Sequence, residues 1–472
     1  MFLMFFFISF VYSLLRNTKD ALLITAPGSG AEATNFLKVG GVVPAAAIFM
    51  ILYAKLSNVL SKEKLFYTAM LPFVVFFILF ATFLYPEKEI LHPNTLADQL
   101  QTSLPAGLSG LVASFRNWTY ALFYIFAELW GSFVLSLMFW GFANEITKVT
   151  EAKRFYALFG IGANLALVAA GPAAKYITNL QAASEFTGDP WQTSVNFLMG
   201  ISTVSSIIIM FIYRWMNKNV LTDPSFYDQS EQLKSKKSKP KMSLWDSFKF
   251  LAHSKYMLCI LILVLAYNIT INLIEGTWKN QLKLLYPDKA QYLDFMGTYS
   301  TILGAVTLFM MLFVSSNVLR RFGWGVAAFI TPAVLLITGV GFFTFIIFKE
   351  PLSPMLIAWG TSPLLIAVLF GTIQNIMSKA SKYSLFDPTK EMAYIPLDQE
   401  SKVKGKAAID TVGARLGKAG GSGIQIGLIA IFGSISNVTP HIGVIMLVVI
   451  SAWLWAVNKL NIIEFKKIEH KK

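Results

Sequence analysis

Twelve apolar runs of about 18 residues or more leave this chain few folds to choose from. They lie near 1–26, 37–56, 66–85, 118–143, 155–176, 193–213, 256–276, 294–314, 324–348, 354–378, 408–434 and 438–457. Each is long enough to cross a hydrocarbon core of about 30 Å as a helix. In lipid a spanning segment must satisfy its own backbone, and the pattern is not the short alternating one of a barrel. The expected fold class is an all-α membrane protein with twelve transmembrane helices. Composition agrees, with 55% hydrophobic and 14% charged residues.

A net charge of +14 would fit a nucleic-acid partner if the basic residues shared one surface, but they are sorted by side instead. Most of the 40 Lys and Arg fall in loops after even-numbered spans and in the C-terminal tail. By the positive-inside rule these segments and both termini are cytoplasmic, and no nucleic-acid partner is expected. The first span starts at Met1 without a basic n-region, so it does not read as a signal peptide, and a short leader ahead of it is compatible with this pattern. The single cysteine, Cys259, allows no intramolecular disulfide, and His92, His253, His441 and His470 lack ligand spacing. No metal or cofactor is expected.

The hydrophilic stretch 217–255, with SEQLKSKKSKPKMS at its centre, divides six spans from six. The expected domains are therefore 1–216, a basic cytoplasmic linker 217–255, and 256–472 with a basic tail. A weak internal repeat supports two halves. Ser57-Asn58-Val59-Leu60 recurs as Ser316-Asn317-Val318-Leu319, Phe36 matches Phe295 at the same offset, and Gly162-Ala163-Asn164-Leu165 answers Gly413-Ala414-Arg415-Leu416. Two parallel six-helix bundles are the architecture of major-facilitator-type transporters, with a midplane site expected where the halves meet.

Charges inside spans mark where such a protein works, because each costs several kcal/mol unless it meets a partner, a cavity or an ion. The stretch 404–425, KGKAAIDTVGARLGKAGGSGIQ, carries Arg415 and Lys418 three residues apart, on one helical face suited to an anion. Headgroup snorkelling is the plainer reading of both. Gly413, Gly417, Gly420, Gly421 and Gly423 thin the same helix for a neighbouring helix or a ligand. The run imitates a phosphate loop but lacks the Walker spacing and the Ser or Thr after its lysine. Span one places Arg16, Lys19 and Asp20 in its outer half, and the i, i+4 spacing pairs Arg16 with Asp20, leaving Lys19 as the functional candidate. Glu128 in FAELWGS is expected to be the most deeply buried carboxylate, serving a structural ion pair, transport, or both. Span seven, LAYNITINLIEGTWKNQLK, sets Asn268, Asn272 and Glu275 on one stripe expected to face the bundle interior, with helix-to-helix hydrogen bonding the plainer role for the asparagines.

The segments RNTKDALLITAPGSGAE, ELWGS, FWGFANEIT, NLIEGTWK, YSLFDPTKEMAYIPLD and KVKGKAAIDTVGARLGKAGG occur in an order that resembles the nucleotide transporters of plastids and obligate intracellular bacteria. This is the ADP/ATP translocase family distinct from mitochondrial carriers, and the resemblance covers essentially the whole chain. It implies exchange of cytosolic ADP for external ATP and four intramembrane charges important for transport. Residue by residue these fall on Lys19, Glu128, Glu275 and Lys418, with Lys404, Lys406 and Arg415 close to the last. Plastid members carry a transit peptide and a shorter loop between spans three and four. This chain has neither feature, which favours a bacterial member, a monomer in a cell inner membrane.

The expected substrate-binding residues are Lys19, Glu128, Asn272, Glu275, Arg415 and Lys418. The cations take nucleotide phosphates, and the two glutamates hold them when the site is empty. ATP and ADP are the expected substrates, with phosphate a candidate companion and membrane lipid the surroundings. No catalytic constellation appears, so the chain is not read as an enzyme. Proton-coupled import of nucleoside triphosphates is the alternative within transport. A polytopic enzyme acting on a phosphorylated lipid would need clustered acids or histidines at one membrane face, and none is found.

Overall fold

A computed structural model describes residues 1–147, 149–183, 189–222, 254–397, 409 and 413–462. Residues 223–253 of the expected linker, Lys404, Lys406 and the tail 463–472 lie outside the described residues. Among the described residues the chain is helical, without a strand. The main helices are α1 (Phe2–Ile24), α2 (Trp118–Leu129), α3 (Val149–Ala183), α4 (Pro190–Trp215), α5 (Lys255–Leu285), α6 (Lys289–Phe309), α7 (Ser316–Ile347), α8 (Pro363–Ser381), α9 (Ala414–Phe432) and α10 (Ile435–Leu460). Their starts are written in the sequence: Asp189 and Ser362 cap helices that open on Pro190 and Pro363, and Ser434 accepts from Asn437 N.

Nine helices among the described residues are long and apolar enough to cross a membrane. The difference from twelve expected spans arises in three places. Helix α1, 23 residues long, carries three charges, and the apolar part of α9 is a shorter stretch, Leu416–Phe432. The third is Lys289–Ile347, 59 residues of nearly continuous helix. Helix α7 begins at Ser316, inside the expected loop, and the chain turns at Gly323, whose φ of 76° a side-chain-bearing residue rarely adopts. Phe211, Ile337 and Val448 are 69%, 72% and 64% exposed, which suits lipid and would be a liability in water.

The described residues form two compact units. The first draws on Met1–Leu104, Ser109–Lys239 and Tyr286–Ala305. Helix α1 is its axis, packed against α2, α3 and α4 and buried along Met4, Ile8, Val11, Leu14 and Leu22. Trp130 Nε1 donates to Ile8 O at 3.0 Å, and Asn17 Nδ2 donates to Met296 O and Ser300 Oγ at 3.2 and 2.9 Å. The latter bonds hold the front of α6 in this unit.

The second unit draws on Pro105–Leu108, Pro240–Leu285 and Val306–Lys472. Here α5 is the axis, packed against α8, α9 and α10, while α7 packs on α8 and α10. Glycines set the close approaches to α5. A Cβ added to Gly417 would lie 2.6 Å from Asn268 Cβ, and one on Gly421 3.0 Å from Asn272 Cβ. The glycines expected to admit a neighbour therefore admit α5, whereas Gly420 and Gly423 face open space.

Candidate functional site

Each unit encloses a cluster of opposite charges around a sequence-predicted site residue. In the first, Lys19 is 2% exposed, and its Nζ lies 3.0 Å from Asp20 Oδ1 and 3.1 Å from Glu128 Oε1. The Tyr124 ring, one turn before Glu128 on α2, sits 3.8 Å from the same ammonium. An aromatic face adds roughly 0.5–2 kcal/mol to a cation it shields from water. The Glu128 side chain keeps 28% of its surface while Lys19 and Asp20 are closed off, so Asp20, not Glu128 as expected, is the more deeply buried carboxylate, and Glu128 is the accessible edge of the cluster. Immediately after it the helix widens into π-turns over Trp130–Phe139, a backbone feature concentrated at working sites. The sequence expectation that Lys19 lacks a local partner is corrected: the adjacent Asp20 supplies one.

In the second unit, Glu275 Oε1 lies 3.1 Å from Lys379 Nζ on α8 and 3.6 Å from Lys279 Nζ one turn along α5. The lysine side chains are 9% and 4% exposed and the glutamate 16%. The expected polar stripe divides. Asn268 Nδ2 donates to Val264 O within its own helix, while Asn272 Nδ2 donates to Lys418 O at 2.6 Å and to Ser422 Oγ at 3.1 Å on α9. Gln425 Nε2 returns bonds to Asn272 O and Leu273 O. Asn272 is thus a helix-to-helix clamp, and Glu275 turns to α8.

Lys418 is exposed and makes no ion pair among the described residues. Its height is set by its carbonyl bond to Asn272, which stands about 26 Å from the start of α5 at 1.5 Å per residue. That is mid-helix, away from the headgroup level that snorkelling requires. Arg415 lies in the first turn of α9, and its side chain falls outside the described residues.

Residues 1–464 match the TLC ATP/ADP transporter family. The chain belongs to that family. The ADP,ATP carrier protein 1 of Chlamydia pneumoniae is 57% identical over 462 residues, covering 98% of this chain and 90% of that protein. The chloroplastic ADP,ATP carrier protein 1 of Arabidopsis thaliana is 50% identical over 97% of this chain and 72% of its own. ADP,ATP carrier protein 1 of Rickettsia bellii is 44% identical over 97% and 91%. Among solved structures, a bacterial homologue of the iron transporter ferroportin, inward-facing, gives a TM-score of 0.56 at 12% identity over 96% of this chain and 97% of that one. A POT family transporter in complex with a thioalcohol-conjugated peptide gives 0.52 at 14% over 97% and 96%. These two speak for the fold, which is all-α and major-facilitator-like.

Within this TLC family chain, sequence reasoning singled out Lys19, Glu128 and Glu275 and missed three of their partners. Lys279 carried a signal, since it follows Glu275 by one helical turn in the quoted motif. Lys379 escaped because the tenth span was ended at 378, one residue short, whereas α8 runs to Ser381. Tyr124 is one aromatic among 17 tyrosines and 40 phenylalanines, and nothing in its spacing marks it.

Proposed function

We propose that this TLC family member is an ATP/ADP antiporter that carries external ATP inward and internal ADP outward by alternating access, without hydrolysing either. The observation that carries the reading is the burial of lysines against carboxylates: Lys19 with Asp20 and Glu128, and Lys279 and Lys379 with Glu275. A nucleotide brings roughly three or four negative charges, which are expensive to desolvate without cations, and cations left alone are expensive too. Exchanging a carboxylate for a phosphate as the partner of each lysine meets both demands. Lys19, Lys279 and Lys379 are the phosphate ligands in this reading. Lys418, exposed on α9, and Arg415 one turn earlier add positive charge. Glu128 and Glu275 are the resting partners. The printed names of relatives from Chlamydia, Rickettsia and Arabidopsis support the substrate pair.

The protein works as a monomer in a bacterial inner membrane, with both termini and the 217–255 segment cytoplasmic, the arrangement its basic residues favour. Phosphate accompanies ADP outward, which balances the charge that ATP brings in. The test is uptake of labelled ATP into vesicles loaded with ADP, with ADP plus phosphate, or with nothing. ADP inside should be required, phosphate should raise the rate, and collapse of the proton gradient should leave it unchanged. Fast uptake into empty vesicles, abolished by an uncoupler, would replace this reading with proton-coupled import of nucleoside triphosphates.

A further inference from the structure

The contact between α5 and α8 in the second unit has a readable register. Trp278 Nε1 donates to Val368 O and Thr372 Oγ1 at 3.3 and 3.2 Å, and a Cβ added to Gly371 would meet Trp278 Cδ1 at 2.4 Å. Further along, Tyr267 stacks on Phe386 at 5.3 Å, so the two helices run antiparallel. One turn from the Gly371–Trp278 contact in both helices sets Gln374 and Asn375 level with Ile274 and Glu275. Lys379 reaches Glu275 from one turn beyond.

At this level the described residues leave hydrogen-bonding capacity unused. Gln374 is 0% exposed, and among the described residues neither its Nε2 nor its Oε1 has a hydrogen-bond partner. Since both atoms are unpartnered, the orientation assigned to the amide is immaterial. Asn375 Nδ2 donates to Gly371 O, and its Oδ1 accepts from no group among the described residues. Buried polar side chains left unsatisfied are rare in native proteins and ask for an explanation, the more so in a membrane helix bundle. Full burial shuts Gln374 off from a nucleotide base.

We propose that Gln374 is a positioning residue that receives the Glu275 carboxylate when substrate phosphate takes Lys279 and Lys379. The inference rests on the exchange reading above. A carboxylate stripped of its lysines inside the bundle is prohibitively costly unless a donor replaces them. The Gln374 amide is an unused donor at the height of Glu275. Asn375 Oδ1, an acceptor, is suited instead to a displaced ammonium. The resting state is then Glu275 on its lysines with Gln374 idle, and the loaded state is Glu275 on Gln374 with the lysines on phosphate.

The experiment measures ATP binding to the purified full-length protein and ADP-dependent ATP exchange in vesicles. Gln374→Met keeps the length and removes the donor. It should weaken ATP binding about tenfold or more, the usual consequence of losing a hydrogen bond to a charged group, with exchange falling in step. Gln374→Asn should recover part of the loss. In a Glu275→Gln background, Gln374→Met should have no further effect, because its role runs through Glu275. Should Gln374→Met fail to insert, Gln374→Glu serves the same cycle, with a larger loss that vanishes beside Glu275→Gln. Unchanged ATP affinity in Gln374→Met, or an equal loss in both backgrounds, would overturn the proposal and leave Gln374 a packing residue. Wild-type vesicles run in parallel separate the two readings. If they fail to exchange, the antiport reading falls, whereas normal wild-type exchange with a silent Gln374→Met removes this inference alone.

Discussion

Lys379 Nζ stands 3.1 Å from Oε1 of Glu275 and ties α8 to α5 in the interior of the second unit. With side chains 9% and 16% exposed, this pair belongs to the class in which losing one partner is far worse than losing both. Lys379→Met leaves Glu275 with Lys279 at 3.6 Å and should destabilise the protein by about 3 kcal/mol, less whatever Lys279 makes good. Adding Glu275→Gln to Lys379→Met should restore part of that stability. Thermal melts of the three variants in detergent check it, and a double variant no more stable than the single would mean that the two groups are not coupled.

The fold was legible because lipid allows so few solutions: apolar runs of the right length became helices, although the run expected from 354 opens its long helix only at Pro363. What hydropathy does not encode is where a helix ends against its neighbours. The α8 terminus was placed at 378 where the helix runs to Ser381, and Lys379 was lost with it, while the Gly323 turn falls inside the expected loop but follows a helix that restarts at Ser316. Charges were legible one at a time, since a lone Lys19 or Glu128 stands out in an apolar run. Their pairings were not, because Lys19 to Glu128 spans more than a hundred residues and depends on how α1 leans on α2. Asp20 shows the reach of the helical-spacing rule: it offers Arg16 as an i, i+4 neighbour and is silent on the adjacent Lys19, whose ammonium lies 3.0 Å from the carboxylate.

The glycines of α9 divide into two kinds, and the division predicts opposite outcomes. Gly417→Ala places a methyl 2.6 Å from Asn268 Cβ and should cost about 1–3 kcal/mol, as overpacking does. Gly420→Ala and Gly423→Ala point into open space and should be neutral or stabilise by up to about 1 kcal/mol through helix propensity. Melting temperatures of the three single variants decide the matter. Equal effects at all three positions would contradict the packing of α9 on α5.

His92 lies outside the crossing helices, with Nε2 2.7 Å from Thr119 Oγ1 and its ring edge-on to Tyr120. Burial lowers its pKa to about 4, Glu89 opposes the shift, and Lys289 and Lys88 add to it. Above about pH 6.5 the imidazole is neutral in folded and unfolded chains alike. Between about 6.5 and 4 the unfolded chain takes up a proton that the folded one refuses, so stability falls as pH falls. His92→Gln should therefore lose less of its melting temperature than the wild type between pH 7 and pH 4.5. Parallel pH profiles for the two proteins would remove His92 as a contributor.

The first-unit cluster makes the sharpest distinction between binding and turnover. Lys19→Gln removes an ammonium that the proposed mechanism presents to phosphate, a contact worth about 1.5–3 kcal/mol, so ATP affinity should fall roughly tenfold to a hundredfold and exchange with it. Glu128→Gln acts on the other partner. Asp20 Oδ1 remains 3.0 Å from Lys19 Nζ, so the ammonium is not stranded, but it is no longer shared with the more accessible carboxylate. Phosphate then competes with one anion instead of two, and nucleotide binding should hold steady or tighten. Turnover should slow, because the empty carrier has lost the partner that releases phosphate and resets the site. ATP binding and ADP-dependent exchange, measured separately on variants confirmed to be inserted, give the answer. If Glu128→Gln weakens binding as much as Lys19→Gln does, Glu128 is a direct support of the bound nucleotide and the partner exchange at Lys19 is wrong.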